Sequence, residues 1–173
     1  MSQTIAEKLF SRHNLAGTPV RAGDILEAKI TGAMMHYHAN EPMHDLAVQA
    51  GFKDGLPEVW DRDRIYVLLD HHQPTLSQKQ ADENALIRRE VERLGIQCFH
   101  DSEPGIAHQM MADYGLMRPG ELVVGNDSHT ISYGALNCGV PWLPQFSPGR
   151  MVSARGSDSR DGQPSNNVST NHW

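Results

Sequence analysis

A parallel α/β sheet, clad by helices in three α/β/α layers, is the fold class this sequence predicts. Three observations carry that expectation. Residues 64–125 alternate strand-like and helix-like stretches at the lengths of a parallel sheet. Arg64-Ile-Tyr-Val-Leu-Leu-Asp70 is a continuous apolar run ending in a carboxylate, the pattern of a strand buried on both faces. Clusters of His, Asp and Ser then follow the strand-like runs, where functional groups of such sheets gather.

Taken in order, residues 3–16 read as a helix, with Ile5, Leu9 and the Phe10–His13 stretch near a 3.6 period and Gly17 as its stop. Residues 21–30 read as a turn and an alternating strand. A second helix is expected over 43–52, closed by Gly51. After the buried strand at 64–70, Ser77 is a helix N-cap, Ile87, Val91 and Leu94 share one face, and Gly95 ends the helix. Ile96–His100 is a short strand, and residues 105–114 form a helix closed by Gly115. Glu121–Gly125 is the next strand, delivering Asn126-Asp-Ser-His-Thr130. Asp70-His71-His72, His100-Asp101 and Asp127-Ser128-His129 are thereby expected on one rim.

The last segment changes character. From Cys138 to Trp173 nearly half the residues are Gly, Pro, Ser or Asn, and no period survives. Such a stretch buries too little apolar surface to offset its ordering entropy. The expected organisation is one α/β unit over 1–137 and a disordered polar tail over 138–173. So abrupt a change within a sheet domain is also what a shifted reading frame produces.

Composition narrows the function classes. Of 173 residues, 39% are hydrophobic and 21% charged, and 15 basic against 21 acidic residues leave a net charge of −6. No basic stripe points to nucleic acid, and no apolar run is long enough to span a membrane. The first residues contain no signal-peptide core, which reads as cytosolic. Two cysteines, Cys98 and Cys138, supply neither a disulfide framework nor the thiolates of an iron–sulfur cluster. Ten histidines are the compositional excess.

Several of those histidines stand beside acids. Asp70-His71 can move a proton near neutral pH, although Asp70 capping a loop under two surface histidines is an equal alternative. Asp70-His71-His72 also matches the signature of the DHH phosphoesterases. His108 lies near a helix start, where anions are favoured, or is simply a solvent-facing helical residue. Asp127 can hold His129, while Ser128 and Thr130 can donate to a carboxylate ligand; the plain alternative is a loop making a helix cap. His36 and His38 alternate as ligands on one strand face would, and His44 has no assigned place. Cys98 reads as a core thiol.

Together, Leu68-Leu-Asp-His71 with Gln73-Pro74, Gly105-Ile-Ala-His-Gln109 and Val124-Gly-Asn-Asp-Ser-His-Thr130 resemble, in order and identity, the large subunits of the aconitase and 3-isopropylmalate dehydratase family. Thr4–Phe10, Arg21–Asp24, Val59–Arg64 and Arg118–Leu122 are similar to its bacterial members. The resemblance runs from about residue 3 to Asn137, the N-terminal part of such a subunit. It implies an aconitase-type domain and reversible dehydration of hydroxy di- or tricarboxylic acids such as 3-isopropylmalate, homocitrate or citrate on a 4Fe–4S cluster. It further implies that Asp70 and His71 assist departure of the hydroxyl as water. His108, Asp127 and His129 would wall the hydroxyl, and Ser128, with Thr130, would contact the substrate carboxylate. A separate small subunit is the implied partner. The chain departs from the family at Met35–Ala39, where an acid or amide is expected, and after Leu136, where the cluster cysteines, a serine base and carboxylate-gripping arginines are missing. The resulting expectation is an N-terminal fragment of a hydro-lyase, inactive alone and binding no cluster. A non-catalytic remnant and a metal phosphoesterase stand as alternatives.

Overall fold

The computed structural model describes residues 2–36, 51–53, 57–71, 73–102, 105–139 and 167–169. Four strands form one wholly parallel sheet: β2 (Gly32–Met35), β3 (Ile65–Leu69), β4 (Cys98–Asp101) and β5 (Val123–Gly125). Their spatial order is β4-β3-β2-β5, with Ala33 opposite both Ile65 and Val124. Parallel neighbours need crossovers, and these place helices on both faces.

The faces follow from side-chain alternation along each strand. Ala33, Met35, Ile65, Val67 and Leu69 turn toward α2 (Gln78–Leu94) and bury its Ile87, Val91 and Leu94. Met34, Tyr66, Leu68 and Val123 turn the other way, onto Ala107, Met110 and Met111 of α3 (Ala107–Asp113) and Tyr133 of a 3-10 helix (Ser128–Leu136). Burial beside those neighbours pushes the Tyr66 phenol up to about 12. The predicted α/β/α layering is therefore what the chain adopts.

Local signals explain the element ends. α1 (Ile5–His13) opens on a reciprocal cap: Glu7 N–H donates to Thr4 Oγ1 at 3.2 Å, and Thr4 N–H donates to the Glu7 carboxylate at 2.7 Å. Its buried His13 ties the layers together, with Nδ1 2.9 Å from the Lys29 carbonyl and Nε2 2.8 Å from that of Gly120. α2 starts on Ser77, whose hydroxyl accepts from Gln80 N–H, and stops at Gly95, where φ of +68° suits a residue without Cβ.

Three points need separate statement. The central strand β2 was not anticipated: Gly-Ala-Met-Met has no β-branched residue, and only its position between β3 and β5 makes it a strand. The expected helix over 43–52 lies almost wholly outside the described residues. The boundary before residue 138 also shifts, because Cys138 is buried and Gly139 pairs with Leu122 alongside β5. Within the expected tail, β6 (Asn167–Ser169) pairs antiparallel with β1 (Ile25–Glu27); the rest lies outside the described residues.

Candidate functional site

Every strand of the parallel sheet points its carboxyl end to the same rim, and the chemistry-bearing residues follow those ends. His36 directly follows β2, Asp70 and His71 follow β3, and Asn126 and Asp127 follow β5. The Asn126 side-chain oxygen accepts from the His36 amide at 3.3 Å, which links the β2 and β5 ends.

Asp127 is the hub. Its Oδ1 accepts from the His129 amide at 2.7 Å, capping the 3-10 helix, and lies 2.8 Å from His108 Nε2 and 3.1 Å from His129 Nδ1. Its Oδ2 lies 3.3 Å from His36 Nε2. Partial burial works to raise this carboxyl, but the His129 amide and the His108 and His36 rings outweigh it and hold it down at about 2. Asp127 is thus an ionised acceptor with imidazoles brought by β2, α3 and the 3-10 helix.

The other ring nitrogen of His108, Nδ1, lies 2.9 Å from the hydroxyl of Tyr133, a buried residue whose phenol is pushed strongly upward by burial and by nearby negative charge. A neutral ring that donates from Nε2 accepts at Nδ1, so here the tyrosine donates. Asp70 organises the neighbouring corner. One carboxylate oxygen meets His71 Nδ1 at 2.6 Å, and the other accepts from the Ala107 amide at 2.8 Å. The same carboxylate therefore aims His71 and anchors the first turn of α3, which carries His108. The His71 ring stacks on His36 at 5.0 Å between centroids and 18° between planes. Contacts thus run from Asp70 to His71, by ring stacking to His36, by a charge contact to Asp127, and on to His108 and His129, with Tyr133 behind His108.

The rim can close this tightly because position 125 is glycine. A Cβ there would collide with Thr130 Oγ1. Thr130 is fully buried over that glycine, and its hydroxyl donates to the Asp127 carbonyl. It faces the interior and fixes the loop. Ser128, by contrast, is exposed on the rim with Oγ 3.5 Å from His129 Nδ1.

The structure brings Asp70, His71, His108, Asp127 and His129 to one rim, with Ser128 beside them. His100 and Asp101 are not brought there: His100 stands against Tyr114, and Asp101 accepts both guanidinium bonds of Arg88 on α2 at 2.7 Å. That pairing holds the Asp101 carboxyl below its usual range and occupies it structurally. His36, which the sequence offers only as a strand-face ligand beside His38, is the member that sequence reasoning does not place here. Its acid is Asp127, remote in sequence. His38, His44 and His72 lie outside the described residues.

No iron–sulfur cluster fits the donors present. The chain has two cysteines. Cys98 is half-buried in β4, where burial pushes its thiol upward. The Cys138 thiol, pushed up to about 11 by burial, points at the Glu121 carbonyl at 3.4 Å. Both are neutral core thiols rather than thiolate ligands. His108, Asp127 and His129 offer another set, with ligand atoms all within 4.8 Å of one another.

Comparison with known proteins bears on this rim. The sequence model of the Aconitase family (aconitate hydratase) matches residues 33–140. That span runs through Asp70-His71-His72, so the triplet has a place in the aconitase pattern and gives the phosphoesterase alternative no separate support. A "3-isopropylmalate dehydratase large subunit 1" of Methanopyrus kandleri is 40% identical over 136 residues, covering 79% of this chain and 31% of the relative. The "3-isopropylmalate dehydratase large subunit" of Aquifex aeolicus is 39% identical over 137 residues, covering 79% and 30%. A "Probable 3-isopropylmalate dehydratase large subunit" of Methanothermobacter thermautotrophicus is 38% identical over 136 residues, covering 79% and 31%. The chain spans about a third of the length of the curated relatives it matches.

Proposed function

The chain belongs to the aconitase family, and from that premise we propose that it is the N-terminal part of a hydro-lyase for hydroxy di- or tricarboxylic acids, 3-isopropylmalate foremost. The observation that carries the reading is the convergence of imidazoles from the β2 end, α3 and the 3-10 helix on the Asp127 carboxylate, with the Asp70–His71 pair joined to it through the His71–His36 stack.

Dehydration of such an acid needs a proton delivered to the departing hydroxyl and one removed from the adjacent carbon. The Asp70–His71 pair supplies the first: a ring aimed by a carboxylate and half exposed can hand a proton to the leaving oxygen and take it back in hydration. His129, oriented by Asp127 through Nδ1, offers its Nε2 to that oxygen, and His108, engaged by Asp127 and Tyr133 at its two ring nitrogens, braces the wall behind it. Ser128 donates to a substrate carboxylate from the exposed turn. The base for the carbon-bound proton, the carboxylate-gripping cations and the cluster donors belong to the portion of the family subunit that this chain does not match. In an intact family subunit a 4Fe–4S cluster would supply Lewis-acid activation of the hydroxyl, and the expectation for this chain alone is no cluster and no turnover. A separate small subunit completes the assembly.

The test replaces the matching segment of the Methanopyrus kandleri large subunit with residues 2–139 and assays it together with a 3-isopropylmalate dehydratase small subunit. The expected result is a chimaera that dehydrates 3-isopropylmalate after anaerobic iron and sulfide loading, while the 173-residue chain treated identically shows neither cluster absorbance nor turnover. A folded, cluster-loaded chimaera without activity overturns the reading, and so does turnover by the chain alone.

A further inference from the structure

The donors that face one another at Asp127 form a set of a different kind from a cluster's sulfurs. Nε2 of His108 and Nδ1 of His129 lie 2.8 and 3.1 Å from the same oxygen, Oδ1. The other oxygen is held by His36, whose Nε2 lies 3.3 Å away in a side chain only 5% exposed. With Oδ2 turned toward His36, Oδ1 is the oxygen that faces the two rings. We propose that this chain binds one divalent transition-metal ion through His108 Nε2, Asp127 Oδ1 and His129 Nδ1.

Three features of the rim favour an ion there. Two imidazoles and a carboxylate are borderline donors, which suit Zn²⁺, Co²⁺, Ni²⁺ or Fe²⁺ and disfavour Mg²⁺ and Ca²⁺. His108 is backed by a second partner, the Tyr133 hydroxyl at 2.9 Å, the kind of outer contact that orients a metal-bound ring. When Nε2 turns its lone pair to the metal, the ring proton moves to Nδ1 and is donated to the Tyr133 oxygen, so the neutral ring binds with no change in its charge. Finally, Asp127 and His108 side chains are 15% exposed whereas His129 is 80% exposed. The site therefore has a packed floor and one open side, leaving a position for water or an anionic oxygen, as three-ligand zinc sites do. Bonds of about 2.0–2.1 Å in tetrahedral geometry require donors roughly 3.3 Å apart. The exposed His129 ring can adjust to that spacing, while His108 Nε2 and Asp127 Oδ1, at 2.8 Å, must part by about half an ångström, a small side-chain rotation.

The test uses the full untagged chain, stripped with chelator and titrated with Co²⁺. The expected result is a visible d–d band that saturates at a single equivalent, is displaced by Zn²⁺ and is untouched by excess Mg²⁺. H129A, at an exposed ring whose loss leaves the fold intact, and D127N each weaken Co²⁺ binding by roughly 10- to 100-fold or more. H100A, whose ring lies against Tyr114 outside the rim, leaves binding unchanged. Absence of the band overturns the proposal, as does a band that persists unchanged in H129A and D127N. Because the readout is metal binding by this chain, the result is independent of whether the hydro-lyase reading holds.

Discussion

His108 Nε2 lies 2.8 Å from Asp127 Oδ1, joining the first turn of α3 to the loop after β5 across 19 residues of sequence. That contact makes a site out of two motifs that are separate in the chain. It also gives Asp127 a measurable signature.

The Asp127 carboxyl is held at about 2 against an ordinary 3.8, so the fold favours its charged form. The resulting stability is fully present above the unfolded value near 3.8 and is lost as pH falls through about 2. Chemical unfolding of the parent chain and D127N should differ by about 2 kcal/mol at neutral pH, the difference shrinking across that acid window. A pH-independent difference would assign the effect to packing rather than charge.

Tyr133→Phe removes the hydroxyl that meets His108 Nδ1 and keeps the buried ring. The expected cost is about 1 kcal/mol of unfolding free energy, the net worth of one buried hydrogen bond. Imidazole ¹⁵N NMR should show the His108 tautomer becoming mixed in the variant. An unchanged single tautomer would mean that Asp127 alone orients the ring.

Asp70 and His71 should separate in stability although they act together in chemistry. Asp70, 5% exposed, holds both His71 and the Ala107 amide, so Asp70→Ala leaves a helix-start donor unsatisfied and costs about 1–3 kcal/mol. His71, 40% exposed, should cost under about 0.5 kcal/mol as His71→Ala. Equal losses in thermal or urea unfolding would show that Asp70 does not anchor α3.

How far the sequence revealed this arrangement depends on the range of the signals. β3 was legible because five apolar residues in a row, ending in Asp70, have few other uses. α2 was legible to within a residue because Ser77 and Gly95 act locally. Gly32–Met35 carries no such signal; its strand character comes from neighbours 30 and 90 residues away. His36 was obscured for the same reason, since its acid arrives on β5. Thr130 looked like a ligand contact because it follows Asp127-Ser-His, yet the absence of a side chain at Gly125 draws it inward. Asp101 looked like part of the rim until Arg88, on a facing helix, accounted for it. Residues whose role depends on an adjacent partner were readable, and those whose partner comes by way of the sheet were not.

The central claim is that the Asp70–His71 and Asp127 rim performs hydro-lyase chemistry, and its most direct measurement is anaerobic 3-isopropylmalate turnover by the cluster-loaded chimaera, assembled with a small subunit and carrying His71→Asn, beside His100→Ala. The account predicts that His71→Asn lowers kcat by about 100-fold or more with cluster content and thermal stability unchanged, the scale of losing a proton carrier. His100→Ala, outside the rim, should stay within about twofold. Equal kcat for the two variants would contradict the account.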